Sequence, residues 1–145
     1  MEFEPKPKPG FLWSVLRMKC PRCRRGNMFN ESNAYKKLSL KHMLDMPEHC
    51  PVCRQKFDME PGFWYGTGYM SYGITVILSA LSFIAWWLIF GVSTHDNRIF
   101  YWLVLNAILL IVWQPFLMRL SRVLYIYLFV HYDPNYEKNK PQRLN

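Results

Sequence analysis

The sequence predicts a membrane α-helical hairpin of two transmembrane helices, with a small N-terminal zinc-ribbon-like head and a C-terminal interfacial helix. Three observations favour this fold class. Two long stretches of the 145 residues carry no charge, four cysteines occur as two Cys-x-x-Cys pairs, and the lysines and arginines are unevenly distributed. The mean hydropathy lies near zero because a charged first half offsets an apolar second half.

The two uncharged stretches are long enough to cross a membrane. Residues 69–90 number 22, and at 1.5 Å per residue a helix of this length crosses a hydrocarbon core of about 30 Å. The short polar segment 91–98 turns the chain back. Residues 99–118 are then predicted to form an antiparallel second span, which contains the polar residues Asn106 and Gln114 and has Pro115 near its far end.

A third apolar stretch, residues 119–132, is not expected to span. Arg119 and Arg122 would each cost about 2.5–3.5 kcal/mol at the centre of a bilayer. We expect the helix to bend at Pro115 and to continue along the membrane interface until Asp133 and Pro134 end it. The remaining tail, residues 135–145, is polar and is expected to be loose.

The positive charges predict the orientation. Of the 18 lysines and arginines, 12 precede the first span, 5 follow the second and 1 lies between them. Because basic residues stay on the cytoplasmic side, both termini are predicted to be cytoplasmic. The formal net charge of +8 is explained by this topology and by attraction to anionic membrane lipids, so no nucleic-acid partner is expected.

The cysteines predict a metal site. In each pair, Cys20 with Cys23 and Cys50 with Cys53, a proline follows the first cysteine and favours a tight turn. The charged, proline-rich first ten residues do not resemble a secretory signal, which makes disulfides the weaker interpretation. Four thiolates around one ion are typical of structural zinc, and the folding of so small a head would depend on the metal.

Iron remains the alternative to zinc. The pairs are separated by 26 residues, more than the 15–20 of the common zinc pattern, and rubredoxin-type iron sites have long spacers. Against iron, Arg24 and Arg54 follow the pairs where rubredoxin-like knuckles usually have glycine. His49, next to Cys50, is expected to support a ligand or to lie on the surface, because four sulfurs complete a tetrahedron.

No motif for catalysis is present. The sequence contains no nucleophile-plus-base pattern, no glycine-rich phosphate loop and no His-Glu-x-x-His. A closed four-sulfur site also offers no open position for water. We therefore expect a protein that is not an enzyme.

Small and hydroxyl residues recur along one face of the first span at intervals of three and four, which is how membrane helices approach closely. In an antiparallel hairpin, a polar residue of the second span comes level with the far end of this stripe and could bond to it. The stripe either packs the hairpin together or binds a partner. The residues concerned are Gly68, Ser71, Thr75, Ser79, Ser82 and, on the second span, Asn106.

The chain is therefore predicted to have four regions. Residues 1–14 form a flexible tail and the start of an interfacial segment, and residues 15–62 form the cytoplasmic cysteine-knuckle head. Residues 63–118 form the transmembrane hairpin, and residues 119–145 form the interfacial helix and polar tail. Within the head, Ser39 is expected to cap a short helix that ends at Pro47.

Several motifs together resemble a known family. They are Cys-Pro-Arg-Cys with Gly-Asn-Met-Phe at 26–29, Met-Pro-Glu-His-Cys-Pro-Val-Cys at 46–53, and Pro-Gly-Phe-Trp-Tyr-Gly at 61–66. From residue 15 to residue 134 the sequence resembles the bacterial domain-of-unknown-function family numbered 983, in its Bacteroidetes-like form. The resemblance implies a short cysteine-knuckle head and two spans in the bacterial inner membrane.

The resemblance also suggests a context. Some members of that family are encoded beside cytochrome c oxidase subunits and assembly factors, which implies an accessory or assembly role at a respiratory complex. The expected function is that of a zinc-binding accessory subunit or assembly factor that binds an integral membrane complex, such as cytochrome c oxidase, and membrane lipids. A rubredoxin-like iron electron carrier, or a metal or thiol donor at the membrane, is the alternative.

Overall fold

The computed structural model describes residues 7–36, 39, 44–93 and 95–143. Helix α1 spans Phe11–Leu16, a short 3-10 helix spans Phe63–Tyr65, helix α2 spans Gly66–Phe90 and helix α3 spans Arg98–Phe129. Over these described residues there is no β-strand, and two isolated antiparallel bridges join Lys19 to Asn27 and His49 to Lys56. Residues 40–43 of the predicted helix after Ser39 and the first six residues of the predicted flexible tail lie outside the described residues, and residues 44–46 are not helical.

The hairpin of α2 and α3 confirms the predicted helical architecture in outline. Both helices are long and apolar enough to cross a membrane. Gly91, with φ of +68°, ends α2 in a conformation that favours glycine. At the other end of the hairpin, Gly66 lets α2 approach α3, because a Cβ there would lie 2.3 Å from the Tyr125 hydroxyl.

Exposed aromatic residues mark both ends of the hairpin. Tyr65, Tyr69 and Tyr72 are exposed near the start of α2, and Trp87 and Tyr101 are exposed near the turn. Tyr69 and Trp87 lie 18 residues apart, which is about 27 Å along a helix. Two aromatic zones at this separation are typical of helices whose ends reach the two interfaces of a bilayer.

Helix α3 continues through Pro115. The sequence predicted that the helix bends there and continues along the membrane interface, and in the structure both predicted segments belong to one helix of 32 residues that continues to Phe129. Pro115 has no N–H to donate to the carbonyl of Ile111, a loss that long membrane helices tolerate. Past the proline, the buried residues Leu117 and Val123 fix the helix by packing.

The end of α3 is part of the core of the head. Val123, Ile126 and Val130 are fully buried in one cluster with the four cysteines, Met28, Phe57 and Phe63. Arg119 and Arg122, whose charges made a third span unexpected, bind the head. Arg119 donates to the Glu31 carbonyl oxygen at 2.7 Å, and Arg122 donates to the Leu44 carbonyl oxygen at 3.1 Å. Their charges are thus satisfied by protein carbonyls.

The far half of the small-residue stripe packs the hairpin together. Ser82 donates to the Asn106 side-chain oxygen at 3.0 Å, and the Asn106 amide donates to the Ser79 hydroxyl at 3.3 Å. Thr75 instead bonds within its own helix, to the Tyr72 carbonyl oxygen at 2.8 Å. A Cβ built at Gly68 would meet no atom within 4 Å, so that end of the stripe is open.

The contact between Ser82 and Asn106 is expected to stabilise the hairpin. A double-mutant cycle with Ser82→Ala and Asn106→Leu should give a coupling free energy of about 0.6 kcal/mol, the usual size of a polar contact between membrane helices. Unfolding in mixed micelles measures it. The matched cycle of Thr75→Ala with Asn106→Leu should give no coupling, because the side chain of Asn106 bonds to Ser82 and Ser79 and not to Thr75. Equal coupling in both cycles would contradict this assignment.

Candidate metal centre

The first cysteine pair lies in a tight turn directly after α1. The Cys20 N–H donates to the Gly26 carbonyl oxygen at 2.8 Å, and the Arg24 N–H donates to the Cys20 carbonyl oxygen at 2.8 Å. The Gly26 N–H also approaches the Cys23 sulfur at 3.4 Å. These bonds close the turn and bring both thiols to one side of it.

The second pair repeats this turn. The Cys50 N–H donates to the Gln55 carbonyl oxygen at 2.9 Å, and the Arg54 N–H donates to the Cys50 carbonyl oxygen at 3.0 Å. Each turn is flanked by one of the two antiparallel bridges, between Lys19 and Asn27 and between His49 and Lys56. The chain therefore contains two copies of one local structure, which we call the knuckles.

Arg24 and Arg54 adopt the conformation that glycine would adopt most easily. Their φ angles are +53° and +56°, in the left-handed region. For residues other than glycine this conformation costs about 1–2 kcal/mol. The knuckle turns therefore form without glycine at these two positions, at a cost in stability.

The four cysteines converge on a single point. The sulfurs of Cys20 and Cys53 are 3.6 Å apart, those of Cys23 and Cys50 are 3.8 Å apart, and all four lie within 4.8 Å of one another. A tetrahedral ion with bonds of about 2.3 Å to sulfur requires sulfurs about 3.8 Å apart. These separations fit such an ion and are far longer than the roughly 2.05 Å of a disulfide.

Close approach of the knuckles depends on Gly26. A Cβ built at this position would lie 2.3 Å from the Cys50 sulfur. All four cysteines are buried, so an ion held between them would be enclosed by protein. A site of this kind can hold a metal ion, and the four cysteine sulfurs alone could supply four ligands.

The pKa values of the four thiols differ, because the thiols bond to one another. Hydrogen bonding with Cys20 holds the pKa of Cys23 well below its usual range and lowers the pKa of Cys50 to about 7. Hydrogen bonding with Cys23 raises the pKa of Cys20. Because metal ions bind thiolates, protons compete with the ion, and metal affinity falls as the pH falls.

Arg22, inside the first knuckle, is fully buried and joins the head to the C-terminal segment. Its guanidinium donates to the Cys53 carbonyl oxygen at 3.2 Å and pairs with the Asp133 carboxylate at 3.4 Å. It also donates to the carbonyl oxygens of Asn139 at 2.6 Å and Lys140 at 3.0 Å. Arg22 is not among the site residues predicted from the sequence, because no local pattern indicates these distant acceptors.

The same segment is bound at the second knuckle. Gln55 is fully buried, its amide donates to the Gln142 carbonyl oxygen at 2.7 Å, and its side-chain oxygen accepts from the Gln142 N–H at 2.9 Å.

Burial raises the pKa of Asp133, but hydrogen bonds from Asn139, the Asn135 N–H and Arg22 outweigh it and lower that pKa. The expectation of a loose tail is therefore wrong for residues 135–143.

The remaining candidate residues lie away from the cluster. His49 is exposed and is not among the four groups that converge. The stripe from Gly68 to Ser82 lies on α2, in the hairpin. The fold and the site together define a small helical protein with two candidate membrane helices and a buried four-cysteine cluster able to hold one metal ion.

Comparison with protein-family models, curated proteins and solved structures gives no match for this chain. The resemblance to the family numbered 983 therefore rests on the sequence motifs.

Relief of backbone strain should stabilise the second knuckle. Arg54→Gly is expected to raise the free energy of unfolding of the metal-loaded head by about 1 kcal/mol, because glycine adopts a positive φ without strain. Denaturant unfolding measures this. The matched variant Arg24→Gly should gain nothing, because Arg24 donates to the Pro9 carbonyl oxygen at 2.9 Å and stacks on Tyr132. Destabilisation by Arg54→Gly would contradict the interpretation.

Proposed function

We propose that this protein is a non-enzymatic, membrane-anchored zinc-binding accessory subunit or assembly factor of a larger membrane complex, such as cytochrome c oxidase. The observation that carries the proposal is the shared core of the four-cysteine cluster and the end of α3. A head joined in this way to a membrane helix moves with it, so it can present a rigid surface to a partner at a defined height above the bilayer.

Zinc suits the cluster because four sulfurs close its coordination shell. A closed site leaves no position for substrate or water, which favours a structural ion over a catalytic one. The compact zinc-ribbon-like head is then maintained by the ion, with the knuckles as its two halves. Zinc tetrathiolate carries a double negative charge, and the buried Arg22 guanidinium next to the Cys53 carbonyl offsets part of it.

A rubredoxin-like iron electron carrier, or a metal or thiol donor, is the second candidate. The left-handed residues after each pair, Arg24 and Arg54, give the knuckles the turn that glycine supplies in rubredoxin-like sites. Sulfur separations of 3.6 and 3.8 Å suit iron as well as zinc. Colour distinguishes the two, because a ferric tetrathiolate absorbs visible light and a zinc tetrathiolate does not.

The protein should contain one zinc ion per chain, bound by Cys20, Cys23, Cys50 and Cys53. Substituting Cys50 with serine should abolish stoichiometric zinc and unfold the head while both helices stay in the membrane, because their apolar length suffices for insertion without the ion. Metal analysis of purified protein is the measurement. His49→Ala should keep its zinc. Stoichiometric iron in protein from the natural host would establish the second candidate instead.

We place both termini in the cytoplasm, from the 12, 1 and 5 lysines and arginines before, between and after the spans. A cysteine introduced by Asn97→Cys should react with a membrane-impermeant maleimide on intact spheroplasts. Lys138→Cys, equally exposed in the structure, should react only after lysis. The reverse pattern would invert the topology.

The partner is expected to approach the open end of the small-residue stripe. Gly68→Leu should abolish copurification of the partner without loss of protein, because the added side chain projects into open space. Gly73→Leu is the matched control, since Gly73 is equally open but lies about 140° around the helix. Copurification from native membranes in gentle detergent is the measurement.

Two outcomes would contradict this assignment. If Gly68→Leu retains the partner, the open end of the stripe is not the binding face. If the unmodified protein is monomeric and free of partners in its native membrane, the accessory-subunit proposal is wrong. Ser79→Leu reports on the hairpin alone, because Ser79 accepts a hydrogen bond from Asn106.

A further inference from the structure

A cavity of about 580 Å³ lies between the head and α3. Phe116 and Arg119 line it from α3, and Leu16 and Arg17 line it from the end of α1. Phe116 is 18 residues beyond Arg98, the first residue of α3, which is about 27 Å along the helix. If α3 crosses the bilayer as proposed above, the cavity lies at the cytoplasmic headgroup level.

The surface beside the cavity is apolar where it would meet lipid. Leu12 and Trp13 of α1 are 73% and 59% exposed, and Leu16 is also exposed. Helix α1 is held against the end of α3, with the rings of Phe11 and Tyr127 at 5.5 Å. A short helix with exposed leucine and tryptophan next to a membrane-spanning helix is suited to lie in the interface, with its apolar side chains among the acyl chains.

The cavity itself combines apolar walls with positive charge. Phe29 and Phe116 are among the apolar residues of its lining. Arg17, Lys19 and Arg119 bring three cations to it, and Glu31 is the one acid among the described lining residues; its carboxylate pairs with Lys36 at 3.1 Å. The lining therefore carries net positive charge.

These cations are held in place by neighbouring groups. The Arg17 guanidinium stacks 4.1 Å from the Trp13 ring centroid, and the Lys19 amine donates to the Asn27 side-chain oxygen at 2.5 Å. Arg119 is 1% exposed and lies 4.8 Å from the Phe29 ring centroid. A cation held at a fixed position loses less conformational freedom when an anion binds.

We propose that this cavity is a binding site for one anionic phospholipid. Arg17 and Lys19 contact the phosphate, and the first part of an acyl chain lies against Leu16 and Phe116. The apolar walls and the position at headgroup depth favour a lipid over free phosphate. The net positive charge favours an anionic headgroup over a zwitterionic one. This site is distinct from the metal centre and from the stripe on α2.

The test is native mass spectrometry of the zinc-loaded protein in mild detergent, with phosphatidylglycerol or phosphatidylcholine added. The unmodified protein should retain one phosphatidylglycerol per chain, at least tenfold more tightly than phosphatidylcholine. The double variant Arg17→Gln with Lys19→Gln should lose at least tenfold in affinity. The matched control, Lys56→Gln with Lys138→Gln, removes the same charge from exposed residues outside the cavity and should retain the lipid.

A second variant separates a cavity site from general attraction between charges. Ser32 is exposed and lines the cavity, so Ser32→Trp should fill the space and abolish retention while all cations remain. The proposal is overturned if Ser32→Trp still retains phosphatidylglycerol. It is also overturned if the control double variant loses as much lipid affinity as the double variant of Arg17 and Lys19. Displacement of the lipid by excess inorganic phosphate would assign the site to phosphate instead. Zinc content and partner copurification, measured on the same samples, report separately on the proposed function.

Discussion

The packing of the two knuckles against the last turns of α3 is the contact on which the rest of the structure depends. The four cysteines are enclosed by Val123, Ile126 and Val130 together with five apolar residues that precede α2: Val15, Met28, Phe29, Phe57 and Phe63. The same packing requires α3 to continue past Pro115, gives Arg119 and Arg122 carbonyl partners, and brings the chain after α3 back over Arg22 and Gln55.

The head and the hairpin are consequently one structural unit. Tyr127 donates to the Lys19 carbonyl oxygen at 3.0 Å, and Phe63, just before α2, packs on Tyr125 and Phe129 of α3 at 5.0 and 5.4 Å between ring centroids. A displacement of α3 along its axis would therefore disturb the environment of the cysteines. Conversely, loss of the cluster would weaken the contacts of Arg119 and Arg122 with the Glu31 and Leu44 carbonyl oxygens of the head.

Local patterns predicted the parts of this structure that are local. Uncharged stretches of sufficient length located both helices, cysteine spacing identified the cluster, and antiparallel geometry placed Asn106 beside Ser82. The contacts that join distant parts of the chain were not predictable in this way. Arg22 binds carbonyl groups more than 110 residues later in the chain, and neither its type nor its neighbours indicate those acceptors. The packing of Val123, Ile126 and Val130 against the cysteines likewise joins residues far apart in sequence.

The position of α3 in the head also constrains the order of folding. The knuckles precede both long helices in the chain, whereas Val123 and Ile126 lie in the last turns of α3 and Val130 directly follows it. Contacts between such distant segments form late, because closing a long loop costs entropy before any packing is gained. The packing that encloses the knuckles can therefore form only after α2 and α3 have been made, although the knuckles precede both helices in the chain.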